Sequence, residues 1–248
     1  IYMYYKMLYI ILFGILLWIL WYFIEFNEDA SSQIRTLQKD GFCICIDKDY
    51  LETRDVPCAK LQKDILNKLP RGYVFINYVY KIQDTSLSTF HRDVTSSQNI
   101  YHTKHPIYTM ILYKYDGELL SVCPRSNMQY PFVFSHITNI SGNAGTAFLF
   151  DSELLHAGMN NKCKKREVIQ YKLCHVDDLP LLTHLSGVNK SKKDICRDGI
   201  YESVMRKLSY YLQLPINTFL YPIMIKRENN NFIGAIQSFI PITFYNNV

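Results

Sequence analysis

The chain has 248 residues, 48% hydrophobic and 20% charged, with 27 Lys+Arg against 22 Asp+Glu for a net charge of +5. That length suits one ordinary domain with appendages, and the apolar fraction supports a core, which excludes a disordered or purely fibrous chain. The positive excess is spread along the chain instead of gathered into a basic patch, so no nucleic-acid partner is expected. The 20 tyrosines, with abundant Ile, Asn and Lys, suggest an AT-rich coding sequence, which concerns the source and not the activity.

Met7 to Ile24, MLYIILFGILLWILWYFI, carries no charge. It reaches the roughly 17–25 residues that cross a hydrocarbon core. Trp18, Trp21 and Tyr22 near its end, and Tyr4 and Tyr5 near its start, fit aromatic belts at two interfaces. The run exceeds a secretory h-region of about 7–15 residues, and no A-x-A-like site follows. Residues 1–26 are therefore predicted to form a transmembrane signal-anchor helix. Lys6 before it and Glu25, Glu28 and Asp29 after it place the N-terminus in the cytosol and the rest of the chain across the membrane.

Residues 27–40 are polar and read as a linker with a short helix. The run FCICI alternates Cys43 and Cys45 as buried thiols of a strand. With seven cysteines and no C-x-x-C pair, neither a zinc ribbon nor a thioredoxin-like motif is available, and the compartment stays open. From Asp55 to Leu69, apolar Cys58, Leu61, Ile65, Leu66 and Leu69 form one helical face, closed by Pro70 and Gly72. The period then changes. YVFINYVYKI (73–82), IYTMILYKY (107–115), ELLSVC (118–123), FVFSHITNI (132–140), TAFLF (146–150) and EVIQYKLCHV (167–176) read as short strands separated by turn signals. Many strands without intervening helices predict a mainly β sandwich or barrel, with the jelly roll among the candidates. Residues 198–214 read as an amphipathic helix, and the apolar tail beyond is broken by Pro215, Pro222 and Pro241. The domain organisation expected is an anchor over 1–26, a barrel over 27–180 and a helical, apolar extension over 181–248.

One constellation carries chemistry. His91 and Asp93 stand two apart in STFHRD and share a face if extended. His156 follows in FLFDSELLHAGMNN, and Arg166 opens REVIQYKLCHV ten residues later. Two imidazoles and a carboxylate on one face of an octahedral metal leave three positions open, the arrangement of non-haem Fe(II) oxygenases. Arg offers a planar fork suited to the far carboxylate of a co-substrate.

This order of H-x-D, H and R resembles the 2-oxoglutarate/Fe(II)-dependent dioxygenases. GTAFLFDSELLHAGMNN followed by REVIQYKL resembles the phytanoyl-CoA dioxygenase branch and related viral or protist prolyl-hydroxylase-like proteins, over roughly Tyr73 to Val176. The resemblance implies a double-stranded β-helix (jelly roll) with flanking helices. It implies Fe(II) on His91, Asp93 and His156 as metal-binding and catalytic residues, with 2-oxoglutarate as co-substrate and ascorbate as an accessory reductant. It implies that Arg166 holds the distal carboxylate and that Tyr78 contacts the co-substrate, with Tyr80 nearly as well placed. The reaction implied is oxidative decarboxylation to succinate and CO2 coupled to hydroxylation of an unactivated C–H, on a protein side chain or a lipid-like substrate.

Other residues have blander readings. His102 and His105 fall in a loop and read as solvated or near a pocket; His136 reads as a core histidine. Cys174 and His175, adjacent on a strand, face opposite sides and cannot act together. Lys162, Lys164 and Lys165 read as a hairpin tip, and Asp177 and Asp178 as a strand exit. The alternative to a membrane-anchored hydroxylase is a catalytically silent barrel serving as scaffold in a membrane-bearing assembly such as a virion or organelle membrane, with an assembly partner along the tail.

Overall fold

The computed structural model describes residues 2–22, 24–32, 34–84, 89–129, 135–159, 165–193 and 199–213. Helix α1 (Tyr2–Tyr22) opens the chain, and the side chains described for it, residues 4–17, are all exposed. Among the described residues no helix is long and apolar enough to cross a membrane. The expected span is thus not shown among the described residues.

Strand β1 (Glu25–Asp29) follows, where the sequence pattern predicts the end of the anchor (to residue 26) and then linker. Its residues EFNED have no apolar alternation; it is a strand because its backbone completes a sheet edge, pairing in parallel with Ile137–Ser141. The short helix expected in this region is the single turn α2 (Leu37–Asp40), whose N-cap Thr36 accepts the Lys39 N–H at 3.2 Å. Next come β2 (Phe42–Ile46) and α3 (Ala59–Leu66), which buries Leu61 and Ile65, one helical turn apart. The run 73–82 is two strands, β3 (Tyr73–Phe75) and β4 (Tyr78–Gln83). They break because the Ile76 N–H donates to Lys172 O at 2.9 Å and the register on the partner strand shifts there.

After the turn α4 (Gln98–Tyr101) come β5 (Tyr108–Tyr113), β6 (Gly117–Val122), β7 (Ile137–Gly142), β8 (Thr146–Asp151), β9 (His156–Gly158) and β10 (Glu167–His175). Beyond them lie β11 (Val188–Lys193) and α5 (Ile200–Tyr211). The larger sheet runs β11-β4-β10-β5-β8-β2, with β3 also on β10, and the smaller runs β1-β7-β6-β9. The chain passes from the larger sheet (β5) to the smaller (β6, β7), back to the larger (β8) and again to the smaller (β9). That alternation makes the fold a jelly roll with flanking helices. The crossing from β7 to β8 needs Gly145: its φ is +86°, and a Cβ there would lie 2.3 Å from the Asp47 carbonyl oxygen.

Between the sheets pack Ile111, Tyr113, Phe148, Phe150 and Val168 from one side and Leu120, Val122 and Ile140 from the other. On the outer face of the larger sheet, Met110, Leu112, Ile169, Tyr171 and Leu173 lie under Leu61 and Ile65 of α3. Strands β5 and β10 are therefore buried on both faces, which is why their sequences run apolar with little alternation. Fully burying each such side chain stabilises the fold by roughly 1.5–3 kcal/mol. Strand β11, VNKSKK, escapes pattern reading for the opposite reason: it is a lysine-rich edge strand, mostly exposed, paired in parallel with β4. Helix α5 matches the amphipathic segment and lays Tyr210 on the outer face of the smaller sheet against Phe90, Cys123, Ile137, Leu155 and Ala157. Cys43, Cys45, Cys58, Cys123 and Cys174 are free thiols. Residues 214–248 lie outside the described residues, and the expected docking strip of the tail with them.

Candidate metal centre

His91 is not in a regular strand. It forms a lone antiparallel bridge with His156 at the start of β9, in which each residue donates its N–H to the other's carbonyl, at 2.9 and 3.0 Å. The bridge sets the two rings together, with centroids 4.4 Å apart. Two residues on, the Asp93 N–H donates to Ser152 O at 2.9 Å, so H-x-D and the loop before β9 are laced by backbone bonds. Arg92, between the ligands, points away and is 3% exposed; its guanidinium donates to Glu153 O at 2.8 Å and Ser126 O at 3.1 Å. A buried arginine thus fastens the same two segments from behind.

The donor atoms converge. His156 Nε2 lies 3.7 Å and His91 Nε2 3.9 Å from Asp93 Oδ1. Each ring is turned by a backbone carbonyl: His91 Nδ1 donates to Thr89 O and His156 Nδ1 to Leu154 O, both at 2.9 Å. Carbonyls only accept, so both imidazoles hold their proton on Nδ1 and present Nε2 lone pairs, the tautomer a metal requires. Asp93 is divided likewise. Its Oδ2 accepts from Thr109 Oγ1 at 2.5 Å and Lys172 Nζ at 2.7 Å, which leaves Oδ1 toward the imidazoles. Two neutral nitrogens and one carboxylate oxygen on one side, with their far atoms already bonded, fit a divalent transition metal with open positions.

Sequence reasoning passed over Lys172. It sits mid-strand on β10, 1% exposed, and gives its three protons to Asp93 Oδ2, Ser96 Oγ at 2.8 Å and Thr109 Oγ1 at 2.7 Å. Burial pushes its pKa down, opposed by Asp93. For Asp93, burial alone would raise the pKa, but Lys172 and the two imidazoles outweigh it and hold the carboxyl well below the usual range. The only signal in the sequence is a lysine inside an otherwise apolar strand, QYKLC. Helix α5 was not expected near the centre either. Phe90, the residue before His91, donates its N–H to Ser209 Oγ at 2.8 Å and accepts from Gln213 Nε2 at 3.2 Å, so α5 and the residues just after it fix the segment that carries the first ligand.

The predicted co-substrate residues fall apart from one another. Arg166 immediately precedes β10, 7% exposed, its guanidinium 5.7 Å from the centre of the Tyr113 ring in the inter-sheet core. It shares the inward parity of Val168 and Lys172, so this strand carries two inward cations six positions apart, of which Lys172 is committed to Asp93. Tyr78 is buried in a separate cluster with Ile76, Ile107, Cys174, Leu182, Leu185 and Val188, and Tyr80 packs at its margin. Of the remaining histidines, His102 is exposed at the end of α4, whereas His136 makes an edge contact with Phe26. Cys174 and His175 do face opposite sides: the thiol is in the Tyr78 cluster and the imidazole meets the Tyr73 ring edge-on.

Burial and the neighbouring His91 push the His156 pKa down from 6.5 to about 4, against the pull of Asp93. Between those values the unfolded chain binds more protons than the folded one, so stability rises with pH. Urea unfolding of the metal-free protein is expected to lose up to roughly 3 kcal/mol as pH falls from 6.5 to 4, the full effect being present above 6.5. His156→Gln should flatten that pH dependence; an unchanged slope would place the titration elsewhere.

The fold and the centre together define a jelly roll that carries a convergent two-histidine, one-carboxylate triad. No family model matches the sequence, and no curated protein sequence matches it. Among solved structures, EvdMO1 is similar at 13% identity and a TM-score of 0.42, over 59% of this chain and 50% of that one. This chain thus spans about half the length of EvdMO1. EvdO2 from Micromonospora carbonacea var. aurantiaca, complexed with 2-oxoglutarate, is similar at 10% identity and a TM-score of 0.41, over 56% of this chain and 88% of that one. HygX from Streptomyces hygroscopicus with iron bound is similar at 14% identity and a TM-score of 0.37, over 56% of this chain and 84% of that one. The chemical argument rests on the geometry of the centre itself.

Proposed function

We propose that the chain is an Fe(II)- and 2-oxoglutarate-dependent oxygenase that hydroxylates an unactivated C–H of a protein side chain or lipid-like substrate. The observation that carries this reading is the convergence of His91 Nε2, His156 Nε2 and Asp93 Oδ1, each with its other polar atom already engaged. Fe(II) held there, with 2-oxoglutarate and dioxygen, supplies an oxidant able to break such a bond. The chain's own contribution is positional. Lys172 and Thr109 keep Asp93 from turning both oxygens to the metal, and the Thr89 and Leu154 carbonyls keep both imidazoles in the ligating tautomer. Phe150, its ring 4.6 Å from that of His156, covers one side of the centre with apolar surface. Arg166 supplies a buried planar cation for a distal carboxylate.

The assay is Fe(II)-dependent succinate formation from 2-oxoglutarate by the full chain in detergent. Arg166→Ala is expected to weaken 2-oxoglutarate binding by at least about tenfold while leaving Fe(II) affinity nearly unchanged; equal loss of both would instead mark a folding defect. Ascorbate enters the proposal as an accessory reductant.

Membrane attachment belongs to the same proposal. The exposed apolar side chains of α1 support a signal anchor with a cytosolic N-terminus and the barrel on the opposite side. Helix α5 adds a second apolar surface, with Tyr201, Val204, Met205, Leu208 and Leu212 exposed at helical spacing. That stripe favours an assembly or membrane-surface contact and keeps the scaffold reading in view. A folded protein that binds neither iron nor 2-oxoglutarate would decide for the scaffold.

A further inference from the structure

Helix α5 lies across the smaller sheet from the metal centre. The His156 ring turns inward against Phe150, so its neighbour Ala157 on β9 faces outward. Both chain neighbours of His156, Leu155 and Ala157, pack with Phe90, the neighbour of His91, around Tyr210 of α5. All four are buried, at 3% exposure or less.

Arg206 ties the same two segments together. Its Nη1 donates to Gly158 O at 2.9 Å, two residues past His156. Its guanidinium carbon stands 4.7 Å from the centre of the Phe90 ring, one residue before His91. Its Nη2 donates to Ser121 Oγ at 2.5 Å on β6, the strand that pairs with β9. A planar fork permits this, because its donors reach separate acceptors while its flat face stays on the ring. Ser209, one turn further, completes the hold: its hydroxyl donates to Arg206 O at 2.7 Å and accepts the Phe90 N–H. Beyond the His91–His156 bridge, the Asp93 N–H and Arg92 lace the segments on one side. Arg206 and Tyr210 supply the link on the Phe90 side.

On the α5 side these contacts are all made by side chains, and Tyr210 is the one buried residue of the helix. Tyr201, Val204, Met205 and Leu208 are exposed. An element that buries so little opens at a lower free energy than the strands beneath it. The link between the two ligand segments therefore depends on a helix that can release.

We propose that Arg206 is a positioning residue of the metal centre: by joining Gly158 O to the Phe90 ring it sets the separation of His156 and His91, and so couples docking of α5 to metal binding. This coupling rests on the metal-centre reading and names the element that regulates that centre. Coupling is reciprocal, so a bound metal also holds α5 in place.

The test uses the full chain in detergent with Co(II) as the probe, followed by calorimetry, visible absorption and hydrogen exchange. Arg206→Leu is expected to weaken Co(II) binding about tenfold, the lower end of what outer-shell partners contribute. Arg206→Lys, which keeps the charge but not the fork, should recover part of that loss. At saturating Co(II) the ligand-field bands of Arg206→Leu should be displaced from those of wild type, a change that lower stability alone does not produce. In wild type, Co(II) should slow exchange of the Leu208 to Leu212 amides by a similar factor, and in His91→Ala/His156→Ala it should not. Should Arg206→Leu fail to fold, Ser209→Ala removes the acceptor of the Phe90 N–H while keeping a good helix former, and should move affinity and bands the same way. Wild type that binds no Co(II) overturns the metal centre and the coupling with it. Unchanged affinity and bands in Arg206→Leu and Ser209→Ala, or α5 exchange indifferent to bound Co(II), overturns the coupling alone.

Discussion

His156→Ala is expected to abolish Fe(II)-dependent succinate formation from 2-oxoglutarate, and His91→Ala to do the same. The expectation is strong because the scaffold survives the change. The bridge joining the two segments is made by backbone N–H and carbonyl groups, which alanine keeps. Asp93 also keeps its bonds to Thr109 and Lys172. What is lost is one of three converging donors, and Fe(II) affinity should fall by more than the roughly 10–100-fold that follows loss of an outer-shell partner. Circular dichroism and Fe(II) titration on both variants separate ligand loss from unfolding. Wild-type turnover in both variants would remove the metal assignment.

Lys172→Met is expected to destabilise the metal-free protein by about 3–5 kcal/mol, the cost of leaving one member of a buried ion pair without the other. The ammonium is 1% exposed and supplies the shortest charged contact to Asp93, at 2.7 Å. Without it the carboxylate faces a buried environment with only Thr109 on Oδ2, and its pKa moves up toward the ordinary range. The double variant Asp93→Asn/Lys172→Met should recover part of the loss, because no buried charge then stands alone. Urea unfolding of the two single variants and the double one gives the coupling directly. Additive losses would mean that Lys172 acts through packing alone. Lys172→Met should also weaken Fe(II) binding by about 10–100-fold, since Asp93 loses the partner that divides its two oxygens.

Much of this architecture is legible in the chain. The six strand-like runs correspond to strands of the barrel, apart from residues 130–134, which lie outside the description, and the helical faces at 55–69 and 198–214 contain α3 and α5. The misses share a cause. Strands β1 and β11 exist because their backbones complete sheet edges, and an edge strand of EFNED or VNKSKK buries no face that would impose a period of two. The break between β3 and β4 comes from a register change against β10, which local composition cannot record. Tyr78 lies on the expected strand, yet it packs into the cluster beneath residues 182–188.

By itself the sequence determined the residue types and spacings that a metal centre needs: His91 and Asp93 two apart, His156 after a strand, Arg166 ahead of the next. Those are local facts of covalent order and of period-two side-chain direction. Only the tertiary structure decided which atoms face the centre. The His91–His156 bridge, the three-way clasp of Lys172 on Asp93 and the hold of α5 on Phe90 join residues 65, 79 and 119 or more positions apart. Hydrogen bonds between distant segments select a tautomer or one carboxylate oxygen through geometry, and that selection exists only once both sheets have closed on each other.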